Sequence, residues 1–174
     1  MKEFSFSVPQ EIIVGKGSLA RLSEAAEKLG GKHGFIISGP HLNKMGIVAS
    51  CSESLENAGI KVDAYTETEG NPSVETVEKA AAAFCKSGAD FIIALGGGSP
   101  MDVAKAVGVV ARYGGSITEY EGGGRVPGDI IPLIAIPTTA GTGSEVTAFS
   151  VITDHSRNYK LTVFSYKLIP AYAI

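Results

Sequence analysis

The stretch Asp90–Arg112, DFIIALGGGSPMDVAKAVGVVAR, permits few folds. Phe91–Leu95 is short and wholly apolar, as in a strand covered on both faces. Gly96–Gly98 then let the backbone turn sharply, with no Cβ between it and whatever approaches. Ser99 has the chemistry of an N-cap, Pro100 suits the first helical position, and Asp102 puts a negative charge in the first turn. The helix beyond is apolar nearly all round. Asp102, Lys105 and Arg112 recur at helical spacing and predict one thin polar stripe on a packed helix. Free N–H groups at a helix start, behind a glycine turn, suit an anion, and a nucleotide phosphate is the natural occupant. The same residues also suit a tight strand-to-helix turn that holds no ligand.

Upstream, Phe4–Val8 and Glu11–Val14 read as short strands separated by Pro9. Gly15-Lys16-Gly17-Ser18-Leu19-Ala20 has the form G-x-G-x-x-A, the dinucleotide fingerprint. That motif wants an acid about 20 residues on, at the end of the next strand. Here the strand Gly34–Ser38 ends in Ser38-Gly39-Pro40, so Gly15 and Gly17 are read as a tight turn before a helix. A helical turn over 41–46, a helix over Ile47–Ala58 and a strand over Lys61–Tyr65 follow. Ser73 caps the next helix, whose expected buried face is Val74, Val77, Ala81, Phe84 and Cys85, with Gly88 at its end.

Leu133–Ile136 is a further buried strand, and VITD and YKLTVFS near the C-terminus are strand-like. The glycines at 114–115 and 122–124 read as connector. The alternation of strand and helix predicts an α/β fold with a doubly wound, mostly parallel sheet. Ligands of such sheets sit beyond the carboxyl ends of the strands, where the strand order reverses. Three strand ends carry unusual chemistry: Ser38-Gly39, Gly96–Ser99 and the hydroxyl-rich loop Pro137–Ser144. The hydroxyls of that loop suit a nucleotide, or satisfy their own backbone in turns.

With 174 residues the chain is read as one domain, 1–174. The net charge of −3 and the lack of any Lys/Arg-rich run give no support for nucleic acid or an anionic membrane as partner. The polar N-terminus does not resemble a signal peptide, and Cys51 and Cys85 read as separate thiols of a reducing cytoplasm. His33, His41 and His155 are scattered, without metal-ligand spacing. Neither a G-x-S-x-G elbow nor a Walker loop occurs. The apolar end, Lys167–Ile174, reads as a chain cut in mid-structure. The residues yield a nucleotide site and no catalytic or metal centre.

ALGGGSPMDVAKAV and IPTTAGTGSEVTAFSVITD together resemble the iron-containing (group III) alcohol dehydrogenases, relatives of glycerol dehydrogenase and dehydroquinate synthase. Glu11–Gly17, Asn71-Pro72 and Lys160 agree with the same pattern. The resemblance implies the N-terminal NAD(P)-binding domain of a dehydroquinate synthase-like fold, without the C-terminal helical domain. It implies that Gly97, Gly98, Ser99 and Asp102 serve the pyrophosphate turn, and that Thr138, Thr139 and Thr142 line the cofactor groove. By the same resemblance Asn71 approaches the ribose or adjoining phosphate, and Lys160 reaches towards the nicotinamide.

NAD-preferring members of the family carry Asp where this chain has Gly39, which, with His41 and Lys44 nearby, leans the expectation towards NADP. The family's metal ligands, an Asp and three His, lie in the C-terminal domain, so iron or another divalent metal is expected only there. The parent activity implied is hydride transfer between NAD(P)H and a small alcohol or aldehyde. For this chain alone the expectations are an inert cofactor half, or a non-catalytic nucleotide-binding module. An apolar face left uncovered is expected to drive homo-oligomerisation, with the YKLTVFS strand pairing edge to edge.

Overall fold

The computed structural model describes residues 9–174, so the strand expected over 4–8 lies outside the described residues. The main sheet is built from β1 (Glu11–Ile12), β2 (His33–Ile37), β3 (Lys61–Tyr65), β4 (Phe91–Gly96), β6 (Leu133–Pro137) and β9 (Tyr172–Ala173). These six run parallel in the order β1-β9-β6-β4-β2-β3. From β2 the chain steps outward to β3, then returns to the other side of β2 for β4. The order therefore reverses between β2 and β4. A second sheet holds β5 (Gly122–Gly123), β7 (Phe149–Asp154) and β8 (Tyr159–Phe164), in the order β5-β8-β7.

The helices are α1 (Leu22–Lys28), α2 (Pro40–Lys44), α3 (Ile47–Glu56), α4 (Val74–Ser87) and α5 (Gly98–Tyr113). Alternation along the strands divides the core into two layers. Phe35, Ile37, Ile92 and Ala94 face α4 and α5, while Ile36, Phe91, Ile93 and Leu95 face α1 and α3. Ile152, Leu161 and Val163 of the small sheet are buried in the same cluster as α5. The helix is thus enclosed between two sheets, which is why its sequence is apolar nearly all round.

Several expectations are corrected. The cap of α5 is Gly97, not Ser99; Pro100 is its third residue and Asp102 lies beyond the first turn. The polar stripe of α5 meets water only at its ends: Arg112 is exposed and Asp102 half-buried, while Lys105 is fully buried under the small sheet. Cys85 is exposed, and the buried face of α4 is completed by Ala80 instead. Gly122-Gly123 is strand β5, pairing with Val163 and Phe164. That pairing, with β7 on the other side, makes β8 a central strand and removes the free edge expected of YKLTVFS. Tyr172–Ala173 enters the main sheet between β6 and β1, a placement that two residues cannot signal by periodicity.

Candidate functional site

The ends of β2, β4 and β6 lie side by side, since Ile37 pairs with Ala94 and Gly96 with Pro137. The residues that follow, Ser38, Gly97 and Thr138, therefore emerge together at the point of strand reversal. Ser38 is buried and stitches the ends: its Oγ donates to Leu95 O at 2.8 Å and its N–H to Tyr65 O at 2.9 Å. Thr138 N–H donates to Gly96 O at 2.9 Å, tying the start of the hydroxyl loop to the glycine turn.

A cleft of about 420 Å³ opens here, within the range of small-molecule sites. Gly39, Gly97, Gly98, Ser99 and Thr138 all line it. A Cβ on Gly97 would stand 3.1 Å from Thr139 Oγ1, and one on Gly98 would stand 3.7 Å from Thr142 Cβ. The hydroxyl loop thus lies directly against the glycine turn. Among the described residues no side chain caps the start of α5, whose first residues, Gly98 and Ser99, line the cleft and suit an anion.

A second cleft of about 240 Å³ shares Gly98 and Ser99 with the first and adds Asn71, Asp102 and Lys160. Asn71 has a left-handed backbone, φ 54°, and accepts from Lys160 Nζ at 2.7 Å through Oδ1. Thr153 N–H donates to Pro72 O at 2.8 Å, so the loop before α4 is fastened to the β7–β8 hairpin. All ten residues singled out in the sequence therefore gather around the start of α5.

Asp102 is committed elsewhere. Its carboxylate accepts from Ser144 Oγ at 2.8 Å and from Val151 N–H at 3.2 Å. Burial pushes its pKa up, against the opposing effects of the Ser144 hydrogen bond and the Lys105 charge. A carboxylate so placed fastens α5 to the small sheet and would repel a phosphate rather than bind it.

Lys105 is the residue that sequence reasoning missed. Its Nζ donates to the carbonyls of Ser144, Thr147 and Phe149 at 2.6, 2.8 and 2.9 Å. An ammonium has three hydrogens, and each has a carbonyl here. Burial pulls its pKa down to about 8, against the pull of Asp102 and Glu145. The available signal was a lysine in the middle of a helix that is apolar nearly all round.

Among the described residues, no group of three or more His, Cys, Asp or Glu side chains is placed to hold a metal ion. The described residues thus do not fit, by themselves, the iron that the resemblance implies. Nor is any helix among them long and apolar enough to cross a membrane.

A family model for iron-containing alcohol dehydrogenases matches residues 9–174. The chain is 33% identical over 170 residues to the NAD-dependent methanol dehydrogenase of Bacillus methanolicus, covering 98% of this chain and 45% of that protein. Against the choline dehydrogenase of Bacillus subtilis it is 40% identical over 164 residues, covering 92% of this chain and 41% of the relative. The crystal structure of a 1,3-propanediol oxidoreductase superposes with a TM-score of 0.94 at 32% identity, over 99% of this chain and 45% of that one. The sulfoacetaldehyde reductase of Bifidobacterium kashiwanohense, solved in complex with NAD+, gives 0.92 at 33% identity, over 100% of this chain and 46% of its own. The chain spans less than half the length of these relatives and corresponds to their N-terminal part. On the match of nearly its whole length, this chain belongs to the iron-containing alcohol dehydrogenase family.

Proposed function

We propose that this chain binds a nicotinamide dinucleotide and is the cofactor half of an alcohol dehydrogenase acting on a small alcohol or aldehyde. The observation that carries the reading is the cradle between Gly97 and Thr139, beside the uncapped start of α5, where three strand ends meet. It fits a diphosphate because a glycine turn lets backbone amides approach closely and the helix start favours negative charge. In this reading the amides of Gly98 and Ser99 take the pyrophosphate, with Gly97 leaving room for it. Thr138, Thr139 and Thr142 line the groove, Asn71 approaches the ribose or its phosphate, and Lys160 orients the nicotinamide side. The bound dinucleotide supplies the hydride acceptor; the residues here bind it and hold its orientation.

The NAD-dependent methanol dehydrogenase and the NAD+ complex among the relatives support a nicotinamide cofactor. Fluorescence titration of the purified chain with NADH is expected to saturate at one site per chain, and a flat titration overturns the reading. Aldehyde reduction by the chain alone, with iron(II) and NADH added, is expected to be nil. An exposed aromatic cluster, Phe149 stacked on Phe164 at 4.8 Å with Tyr166 at its edge, supports self-association of the isolated chain.

A further inference from the structure

We propose that this chain selects NAD over NADP, and that the selecting group is a wall of hydrogen-bond acceptors on the loop between β3 and α4: the Thr68 carbonyl and the Glu69 carboxylate. This presupposes that the cleft takes a nicotinamide dinucleotide, as argued above. The sequence leans the other way, because Gly39 leaves the end of β2 without an acid. The surroundings of Gly39 reverse that lean.

A Cβ on Gly39 would stand 3.1 Å from the carbonyl oxygen of Thr68. The space an acid at position 39 would enter is therefore already bounded by an acceptor. The loop is held there: Thr68 N–H donates to Ser38 O at 3.2 Å. Thr68 is buried, and its Oγ1 makes no hydrogen bond among the described residues. Glu69 follows directly, and both residues line the cleft with Gly39.

The Glu69 carboxylate is fastened by Thr76 Oγ1 at 2.6 Å and by Ser73 N–H at 3.0 Å. Burial works to raise its pKa, but these hydrogen bonds outweigh burial and hold the group below its usual range. It is therefore a standing negative charge at neutral pH. Among the described residues, the cleft lining sets neither lysine nor arginine against it, only the imidazole of His41. Lys44, which with His41 favoured NADP in the sequence, sits in the last turn of α2 and does not line the cleft.

The chemistry discriminates cleanly. A ribose 2′-hydroxyl donates a hydrogen bond to a carbonyl or a carboxylate. A 2′-phosphate at neutral pH mainly accepts, and it carries the same charge as Glu69. In dinucleotide sites that take the phosphate, an arginine nearby accommodates it. Here the same place holds an acid.

The test is titration of wild type, Glu69→Gln and Glu69→Lys with NADH and with NADPH. Wild type at low salt is expected to bind NADH about tenfold more tightly than NADPH, the scale of one unfavourable charge contact. Glu69→Gln keeps an acceptor for Ser73 and Thr76 and removes the charge. It is expected to tighten NADPH about three- to tenfold and to weaken NADH, whose 2′-hydroxyl loses a charged acceptor, and Glu69→Lys goes further in the same direction. Because the contact is exposed, raising salt is expected to narrow the gap in wild type but not in Glu69→Gln. The salt series on wild type carries the test if a variant does not fold. Equal or tighter NADPH binding by wild type, or a ratio unchanged in Glu69→Gln, overturns the proposal. If neither coenzyme binds wild type, the dinucleotide reading falls, and the selectivity with it.

Discussion

Thr139 Oγ1 lies 3.1 Å from the point where a Cβ on Gly97 would stand. Gly97 itself is extended, φ −81° and ψ −159°, so alanine suits the backbone and fails only for want of room. Gly97→Ala is expected to weaken NADH binding at least about tenfold, the scale of one lost charge-assisted hydrogen bond. Its melting temperature should fall by only a few degrees. Gly97→Ala with Thr139→Ala should regain the stability without regaining the affinity, because the added methyl still occupies the phosphate's place. Calorimetric titration beside thermal melts checks both.

Gly96 provides the contrast. Its φ is 146°, and a Cβ there would meet Pro100 Cγ at 2.8 Å. Both the backbone and the space oppose a side chain. Gly96→Ala is expected to cost about 1–3 kcal/mol of folding stability, read from urea unfolding. Neighbouring glycines of one motif thus differ: at Gly96 both backbone and space exclude a side chain, at Gly97 the space alone.

The periodic signals in the sequence carried most of the fold. The apolar run at β4, the Ser73 cap of α4 and the strand–helix alternation all have local causes, and each stands where it was expected. The cap is direct: Ser73 Oγ accepts from Thr76 N–H at 3.2 Å. What escaped was set by distant parts of the chain. Asp102, Lys105 and Arg112 read as one thin polar stripe, and nothing local reveals that Phe149–Phe164 folds back over α5 and buries Lys105. The pairs β5 and β9 have two residues each, too few for any pattern, and owe their conformation to the strands beside them. The acid near Gly39 stayed hidden for a similar reason: it comes from residue 69, thirty positions away, and lines the same cleft.

Asn71 and Lys160 join the loop before α4 to β8 by one hydrogen bond of 2.7 Å. Asn71→Gly retains the left-handed backbone at no steric cost and removes only the side-chain link. It is expected to fold as wild type and to bind NADH about three- to tenfold more weakly, the scale of one hydrogen bond. Lys160→Met should give a similar loss. The double variant should lose less than the sum, because the two side chains act through one contact. A strictly additive loss in titration would mean that each touches the ligand separately.

Lys105 makes the strongest stability prediction. Lys105→Met keeps the length of the buried stem and leaves the carbonyls of Ser144, Thr147 and Phe149 without its hydrogens. An orphaned buried acceptor costs about 1–3 kcal/mol, so the variant is expected to lose about 3 kcal/mol or more and to loosen the hydroxyl loop. The pH dependence has a definite sign. In the folded chain burial pulls this ammonium down to about 8, whereas an unfolded lysine titrates near about 10.4. Between those values the unfolded chain holds more protons, so this residue's contribution to stability rises with pH. The urea midpoint of wild type should therefore gain on that of Lys105→Met between pH 8 and about 10. A gap that closes over that range would mean that the three carbonyls hold the proton more firmly than burial expels it.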